Sequence, residues 1–176
     1  MRNGLLIGVA TMVMACQQAP LPGKGKAPKV AAGSATESLD RMDGRKPVPL
    51  LPMMAHHQKE NMRDHLVAVQ EIVQALARED YAGVEKSAAR IGYSDHMGMM
   101  CDHMGAAAPG FTDQAIAFHK TADGVGEAAR KKDRGGVLTS LGQTLTSCTA
   151  CHAAWKQQVV DEATYQRLSA THGAHK

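Results

Sequence analysis

Residues 136–160, GVLTSLGQTLTSCTACHAAWKQQVV, carry the clearest structural pattern in the chain. Steps of three and four residues separate its conspicuous positions, which are Leu138, Leu141, Leu145, Cys148, His152, Trp155 and Val159. Side chains at these steps lie on one face of an α-helix. The stretch therefore predicts an amphipathic helix whose inner face includes Cys148 and His152.

Three stretches upstream show the same periodicity and predict helices over residues 53–77, 81–91 and 112–132. Pro52 suits the start of the first of these helices, and Asp80 suits the N-cap of the second. The predicted inner faces are Met54, Met62, Leu66, Val69, Ile72, Val73 and Leu76; then Tyr81, Val84, Ala88 and Ile91; then Ala115, Phe118, His119, Ala122, Val125, Gly126 and Ala129. No stretch from Pro52 onward alternates as a strand does. We therefore expect an all-α domain without strands, folded as an antiparallel four-helix bundle.

The N-terminus resembles an export signal. Arg2 precedes an apolar run at residues 5–15, which is shorter than the roughly 20 residues that a membrane-spanning helix needs. Residues 13–16, Val-Met-Ala-Cys, resemble the lipobox of bacterial lipoproteins, in which the cysteine is lipidated. We therefore predict a signal peptide at residues 1–15 and a lipid anchor on Cys16; a secretory signal cut near Ala19 is the alternative. Both interpretations place the domain in the periplasm.

The rest of the chain divides by composition. Residues 16–50 are rich in Pro, Gly and Lys, which predicts a flexible linker. The helical domain should occupy residues 51–160, and residues 161–176 should form a tail that includes His172 and His175. Only six of 176 residues are aromatic, so something other than aromatic rings must fill the core. The net charge of +3 is scattered, and this pattern excludes nucleic acid as a partner.

Cys148-Thr149-Ala150-Cys151-His152 has the C-x-x-C-H spacing that is typical of covalent attachment of haem c. On a helix the two thiols lie about 60° apart, so both can reach one edge of a porphyrin while the imidazole reaches the iron. A redox dithiol is an alternative, but that chemistry belongs to a βαβ context. A zinc site would need ligands from elsewhere, such as Cys101 or His103. The motif, the export signal and the aromatic-poor core together favour one haem.

A C-x-x-C-H motif late in the last of four helices resembles the class II c-type cytochromes, the family of cytochrome c-prime and cytochrome c556. The resemblance covers about residues 50–160. It implies a haem inside the bundle, with His152 as the axial iron ligand and a distal position that faces the first helix. A methionine fills that position in c556-like members, and an apolar residue leaves it open to gases in c-prime members. The family's Arg-Gln pair before the distal residue is replaced here by His57-Gln58.

Met62 is the predicted distal ligand, because it lies on the inner stripe of the first helix. A methionine on such a stripe is most often a packing residue, so this alternative stays open. Met54, His65 and His119 are the other candidates for the same position. For His119 we favour a hydrogen-bonded interior histidine.

The connection between residues 92 and 110 concentrates soft ligands. A second metal site there, suited to Cu(I), would use His96, Met99, Met100, Cys101, His103 and Met104. The alternative is a loop whose methionines cover the open end of the bundle, with Cys101 as a buried apolar residue.

These features predict a lipid-anchored monohaem cytochrome that transfers single electrons to and from periplasmic redox proteins. A gas-binding haem protein and a copper-handling protein are the alternatives. We expect no enzyme, because the chain shows no Ser/His/Asp grouping and no paired-carboxylate signature. A monomer and a homodimer are both compatible with the sequence.

Overall fold

The computed structural model describes residues 35–173, and most of these residues are helical, as expected from the sequence. The elements are α1 (Ala35–Met42), β1 (Lys46–Leu50), α2 (Pro52–Ala77), α3 (Tyr81–Ala89), α4 (Asp95–Gly105), α5 (Phe111–Arg130), α6 (Arg134–Ala154), β2 (Trp155–Val159) and α7 (Glu162–Gly173). The predicted signal peptide, the lipobox with Cys16, most of the linker and His175 lie outside the described residues. The described residues divide into two units: α1 belongs to the first, which ends at Met42, and the other elements belong to the second, which begins at Asp43.

The helix starts follow local chemistry. Pro52 occupies the first turn of α2, as predicted. The side chains of Asp80, Ser94 and Asp133 cap α3, α4 and α6 by accepting hydrogen bonds from backbone N–H groups at 2.9, 3.2 and 2.9 Å. Each cap satisfies a donor that the first helical turn leaves without a partner.

The four predicted helices correspond to α2, α3, α5 and α6. Close packing joins α2 to α3, α3 to α5 and α5 to α6. The first apolar cluster lies among them and contains Ala68, Ile72, Ala75, Leu76, Val84, Ala88, Ile91, Phe118, Ala122, Val125, Ala128, Ala129, Val137 and Leu141. The predicted inner faces of α3 and α5 are confirmed, because their residues are buried or half-buried.

A two-stranded parallel sheet contradicts the prediction of a domain without strands. β1 pairs with β2 from Lys46 opposite Trp155 to Leu50 opposite Val159. Residues 46–50 are therefore not flexible linker, and the last long helix ends at Ala154 rather than near Val160. Prolines at two of the five positions in β1 hid the strand from the periodicity, although proline is tolerated in a strand at the edge of a sheet.

Three further helices lie where the sequence predicted none, because α1 forms within the predicted linker as well. The predicted connection at residues 92–110 contains α4, and the predicted tail at residues 161–176 contains α7. The second apolar cluster holds α4 and α7 together and contains Val48, Leu50, Met54, Ala55, Met104, Ala107, Ala108, Phe111, Trp155 and Tyr165. The folded unit is larger than predicted because this cluster also buries residues of β1, α4, β2 and α7.

The predicted inner faces of α2 and α6 are only partly correct. Ile72, Leu76 and Leu141 are buried, as expected. Five other apolar residues of these faces are exposed to solvent, namely Met62, Leu66 and Val73 on α2 and Leu138 and Leu145 on α6. Periodicity identifies an apolar face but does not reveal whether other parts of the polypeptide cover it. Among the helices of residues 35–173, none is long and apolar enough to span a membrane.

Candidate functional site

The two cysteines of the C-x-x-C-H motif lie in the last two turns of α6. Both side chains are half-buried, and neither forms a disulfide. Cys148 packs against the first apolar cluster, and Cys151 packs against the second. Burial raises the pKa of both thiols, so both are protonated at neutral pH. The structure therefore presents two reduced thiols on one side of a helix end, facing apolar surroundings.

His152 follows directly, and its side chain is exposed rather than inward as predicted. Four residues correspond to about 40° around a helix, so His152 lies on the flank of the face that carries Cys148. His152 belongs to the last turn of α6, after the part of the helix in which Leu141 and Cys148 pack against the first apolar cluster. The imidazole is thus free to contact a group at the surface of the protein beside the two thiols.

Arg45 holds the end of α6 in place, and sequence analysis missed this residue. Its guanidinium donates hydrogen bonds from Nη1 to the carbonyl oxygens of His152 at 3.2 Å and of Trp155 at 3.4 Å. Arg45 Nη2 also forms a salt bridge with Asp43 Oδ2 at 2.7 Å. Hydrogen bonds from Arg45 hold the pKa of the Asp43 carboxyl well below its usual range. His152 and Trp155 both lie more than a hundred residues from Arg45 in the sequence, so no local sequence pattern could have revealed these hydrogen bonds.

One side of the helical assembly is open. α2 and α6 are not among the closely packed pairs of elements in the described part of the chain. On α2 an apolar row at Met62, Leu66 and Val73 is 37%, 69% and 52% exposed. A second row on α6, Leu138 and Leu145, is also exposed. Around the axis of its helix, each row lies less than a quarter turn from the nearest buried apolar side chain, which is Leu76 on α2 and Leu141 on α6. The first apolar cluster therefore continues into an apolar surface that no part of residues 35–173 covers.

The chain just after α6 touches the start of α2. Gln157 Nε2 donates hydrogen bonds to the carbonyl oxygen of Ala55 at 3.2 Å and to Gln58 Oε1 at 2.5 Å. Met62 lies one turn of α2 beyond Gln58, on the exposed row. The side chain of Gln58 is thus hydrogen-bonded to Gln157, while the neighbouring His57 is exposed.

The other candidates for the distal position are less accessible. Met54 is buried in the second apolar cluster. His119 is buried, and its Nδ1 lies 2.8 Å from the carbonyl oxygen of Ile91, consistent with the interior histidine that we favoured. The His65 ring stacks on Phe118 with centroids 5.2 Å apart and meets His119 edge-on at 5.4 Å. Burial, together with His119, lowers the pKa of His65 to about 4, so this imidazole is neutral at pH 7.

The six residues of the predicted soft-metal site all lie on α4, but on different sides of the helix. Cys101 and Met104 are buried. His96, Met99 and His103 are exposed, and Met100 is half-buried. Burial raises the pKa of the Cys101 thiol to about 11, because a thiolate is poorly solvated there. The structure therefore does not bring all six side chains to one point.

Comparisons with protein-family models, with curated proteins and with solved structures found no match. The function of this chain is therefore inferred from the residues of the site.

Proposed function

We propose that this chain is an exported c-type cytochrome that carries single electrons through one covalently bound haem. The observation that supports this most directly is the position of Cys148 and Cys151, two reduced thiols on one side of a helix end with His152 beside them. Haem supplies reversible one-electron chemistry at its iron when it is bound.

The residues around the motif fit such a group. The apolar rows on α2 and α6 leave hydrophobic side chains in contact with water, which is unfavourable by about 25 cal/mol for each Å² of apolar surface. A flat apolar group attached at Cys148 and Cys151 would cover the nearer part of these rows. Under this proposal, α2, α3, α5 and α6 form the four-helix bundle, and the open side between α2 and α6 holds the haem.

Each residue of the motif has a defined task. The thiols of Cys148 and Cys151 would hold the haem through two thioether bonds, one to each vinyl group. The imidazole of His152 would bind the iron, and Arg45 restrains the helix end that carries His152 through its backbone carbonyl.

The proposal is tested by replacing the two thiols. In Cys148→Ala/Cys151→Ala we expect no haem on a denaturing gel stained for haem peroxidase activity, whereas the unaltered chain shows a stained band. Cys101→Ala is the matched control, because Cys101 is a free cysteine outside the motif, and it should keep the stain. A colourless unaltered chain after expression with an intact haem-maturation system would refute the haem proposal.

We further propose Met62 as the sixth iron ligand, since it is the methionine on the open apolar row of α2. With this thioether and the His152 imidazole both bound to it, the iron would be low-spin and closed to small ligands, as an electron carrier requires. Met62→Ala should therefore turn the optical spectrum to high spin and let carbon monoxide bind the reduced form quickly. Met53→Ala removes an exposed methionine from the first turn of the same helix and should change neither property.

A gas-binding protein is the second candidate, and the exposure of Met62 is the observation that favours it. It becomes the better account if the unaltered chain is already high spin or binds carbon monoxide as readily as Met62→Ala. A spectrum that stays low spin in Met62→Ala would assign the ligand to another residue, with His65 as the next to test.

The periplasmic location, the lipid anchor on Cys16 and exchange of electrons with periplasmic redox proteins complete the proposal. They rest on the export signal and lipobox of residues 1–16.

A further inference from the structure

α4 presents an exposed face of soft ligands that the proposed haem site does not use. His96, Met99, Met100 and His103 are spaced as i, i+3, i+4 and i+7, which places them on one side of the helix. Met99 is 64% exposed, and Met100 is half-buried at the edge of the second apolar cluster. Two imidazoles and two thioethers therefore lie on one partly exposed side of α4.

The spacing suits a shared metal ion. Side chains three or four residues apart on a helix have Cβ atoms about 5–6 Å apart, within reach of one ion. Within residues 35–173, no three His, Cys, Asp or Glu side chains are grouped to hold a metal, which disfavours a zinc-type site. On the side of α4 that carries His96 and His103, a third ligand must be a thioether. Thioethers select monovalent soft ions such as Cu(I).

The helix itself distinguishes the two histidines. His96 lies in the first turn of α4, where the positive end of the helix dipole opposes a cation. His103 lies in the last turn, where the negative end favours one. Met99 and Met100 precede His103 by four and three residues. On this side of α4, Met99, Met100 and His103 are therefore the three soft ligands nearest to the favourable end of the helix.

We propose that the exposed face of α4 binds one Cu(I) ion through the thioethers of Met99 and Met100 and the imidazole of His103. Cys101 and Met104 take no part, because both are buried in the interior of the unit. The site is separate from the C-x-x-C-H motif on α6 and does not depend on the haem proposal.

The test is a titration of the full haem-loaded chain with Cu(I), in competition with a chromogenic Cu(I) chelator. We expect one ion per chain. Loss of an outer-shell partner already costs about tenfold in metal affinity, so Met99→Leu/Met100→Leu and His103→Ala should each weaken binding at least that much. Cys101→Ala should bind as the unaltered chain does. If the chain carries no haem, Cys148→Ser/Cys151→Ser replaces it in every titration, so that free thiols of the motif do not compete.

A matched control separates this site from adventitious binding. Met53 and His57 form an exposed methionine–histidine pair on α2 with the i, i+4 spacing of Met99 and His103, but Met54, at the position that corresponds to Met100, is buried. This pair also lies at the N-terminal end of its helix. Met53→Leu/His57→Ala should leave binding unchanged. An equal loss in this control, a loss in Cys101→Ala, or no binding by the unaltered chain would each overturn the proposal. Circular dichroism checks that every variant is folded.

Discussion

His65 is a titratable group held among aromatic rings. Its imidazole stacks on Phe118 and meets His119, and burial lowers its pKa from 6.5 to about 4. The folded chain therefore binds a proton at this position less readily than the unfolded chain does. His119 is buried as well, and burial also lowers its pKa. Asp64 opposes the shift at His65, and Asp123 opposes it at His119, but burial is the larger effect in both.

We expect acid sensitivity from this arrangement. The contribution of a neutral His65 is complete above its unfolded pKa of 6.5 and declines as the pH falls toward about 4, with a loss on the order of 2 kcal/mol. His65→Phe keeps a ring against Phe118 without a titrating group, so it should lose less stability between pH 7 and pH 4.5. Urea unfolding at both pH values measures this, with His57→Gln at an exposed position as the control. Equal pH dependence in His65→Phe and the unaltered chain would contradict it.

β1 is the element whose role in the structure differs most from the role that its sequence predicted. Its composition predicted linker, yet Val48 and Leu50 are fully buried in the second apolar cluster and pair with β2. The strand therefore belongs to the folded unit that carries the motif.

Leu50→Ala should accordingly destabilise the unit. Truncation of a buried leucine typically costs about 2–5 kcal/mol, because apolar contacts are lost and a cavity remains. Leu39→Ala truncates the same side chain on α1, where it is 67% exposed, and should change the free energy of unfolding by less than about 0.5 kcal/mol. Denaturant unfolding followed by circular dichroism compares the two. If Leu50→Ala changed the free energy of unfolding as little as Leu39→Ala does, residues 46–50 would belong to the linker, as the sequence predicted, and not to the folded unit.

At the scale of the whole molecule, the proposed anchor on Cys16 would decide where the protein works. Each buried CH₂ of an acyl chain contributes about 0.8 kcal/mol to membrane binding, and stable anchoring takes two or more chains. Cys16→Ser should therefore move the protein from the membrane fraction to the soluble fraction after export. Mass spectrometry of the mature N-terminus gives an independent readout. An unlipidated terminus in the unaltered chain would refute the anchor and leave the haem proposal intact.

The sequence by itself determined the features that depend on neighbours along the chain. The positions of α2, α3, α5 and α6, the proline at the start of α2 and the Asp80 cap all followed from local propensity and periodicity. The spacing of Cys148, Cys151 and His152 is equally local, and so it pointed to haem chemistry before any fold was known.

Only the tertiary structure decided what depends on distant partners. The pairing of β1 with β2 and the hydrogen bonds from Arg45 to the end of α6 join residues more than a hundred positions apart, and such pairings leave no periodic signal. The exposure of Met62, Leu66 and Leu145 could not be predicted either, because periodicity marks an apolar face whether or not polypeptide covers it. In the same way, α4 divides six soft ligands into buried and exposed sets because a helix turns successive side chains about 100° apart.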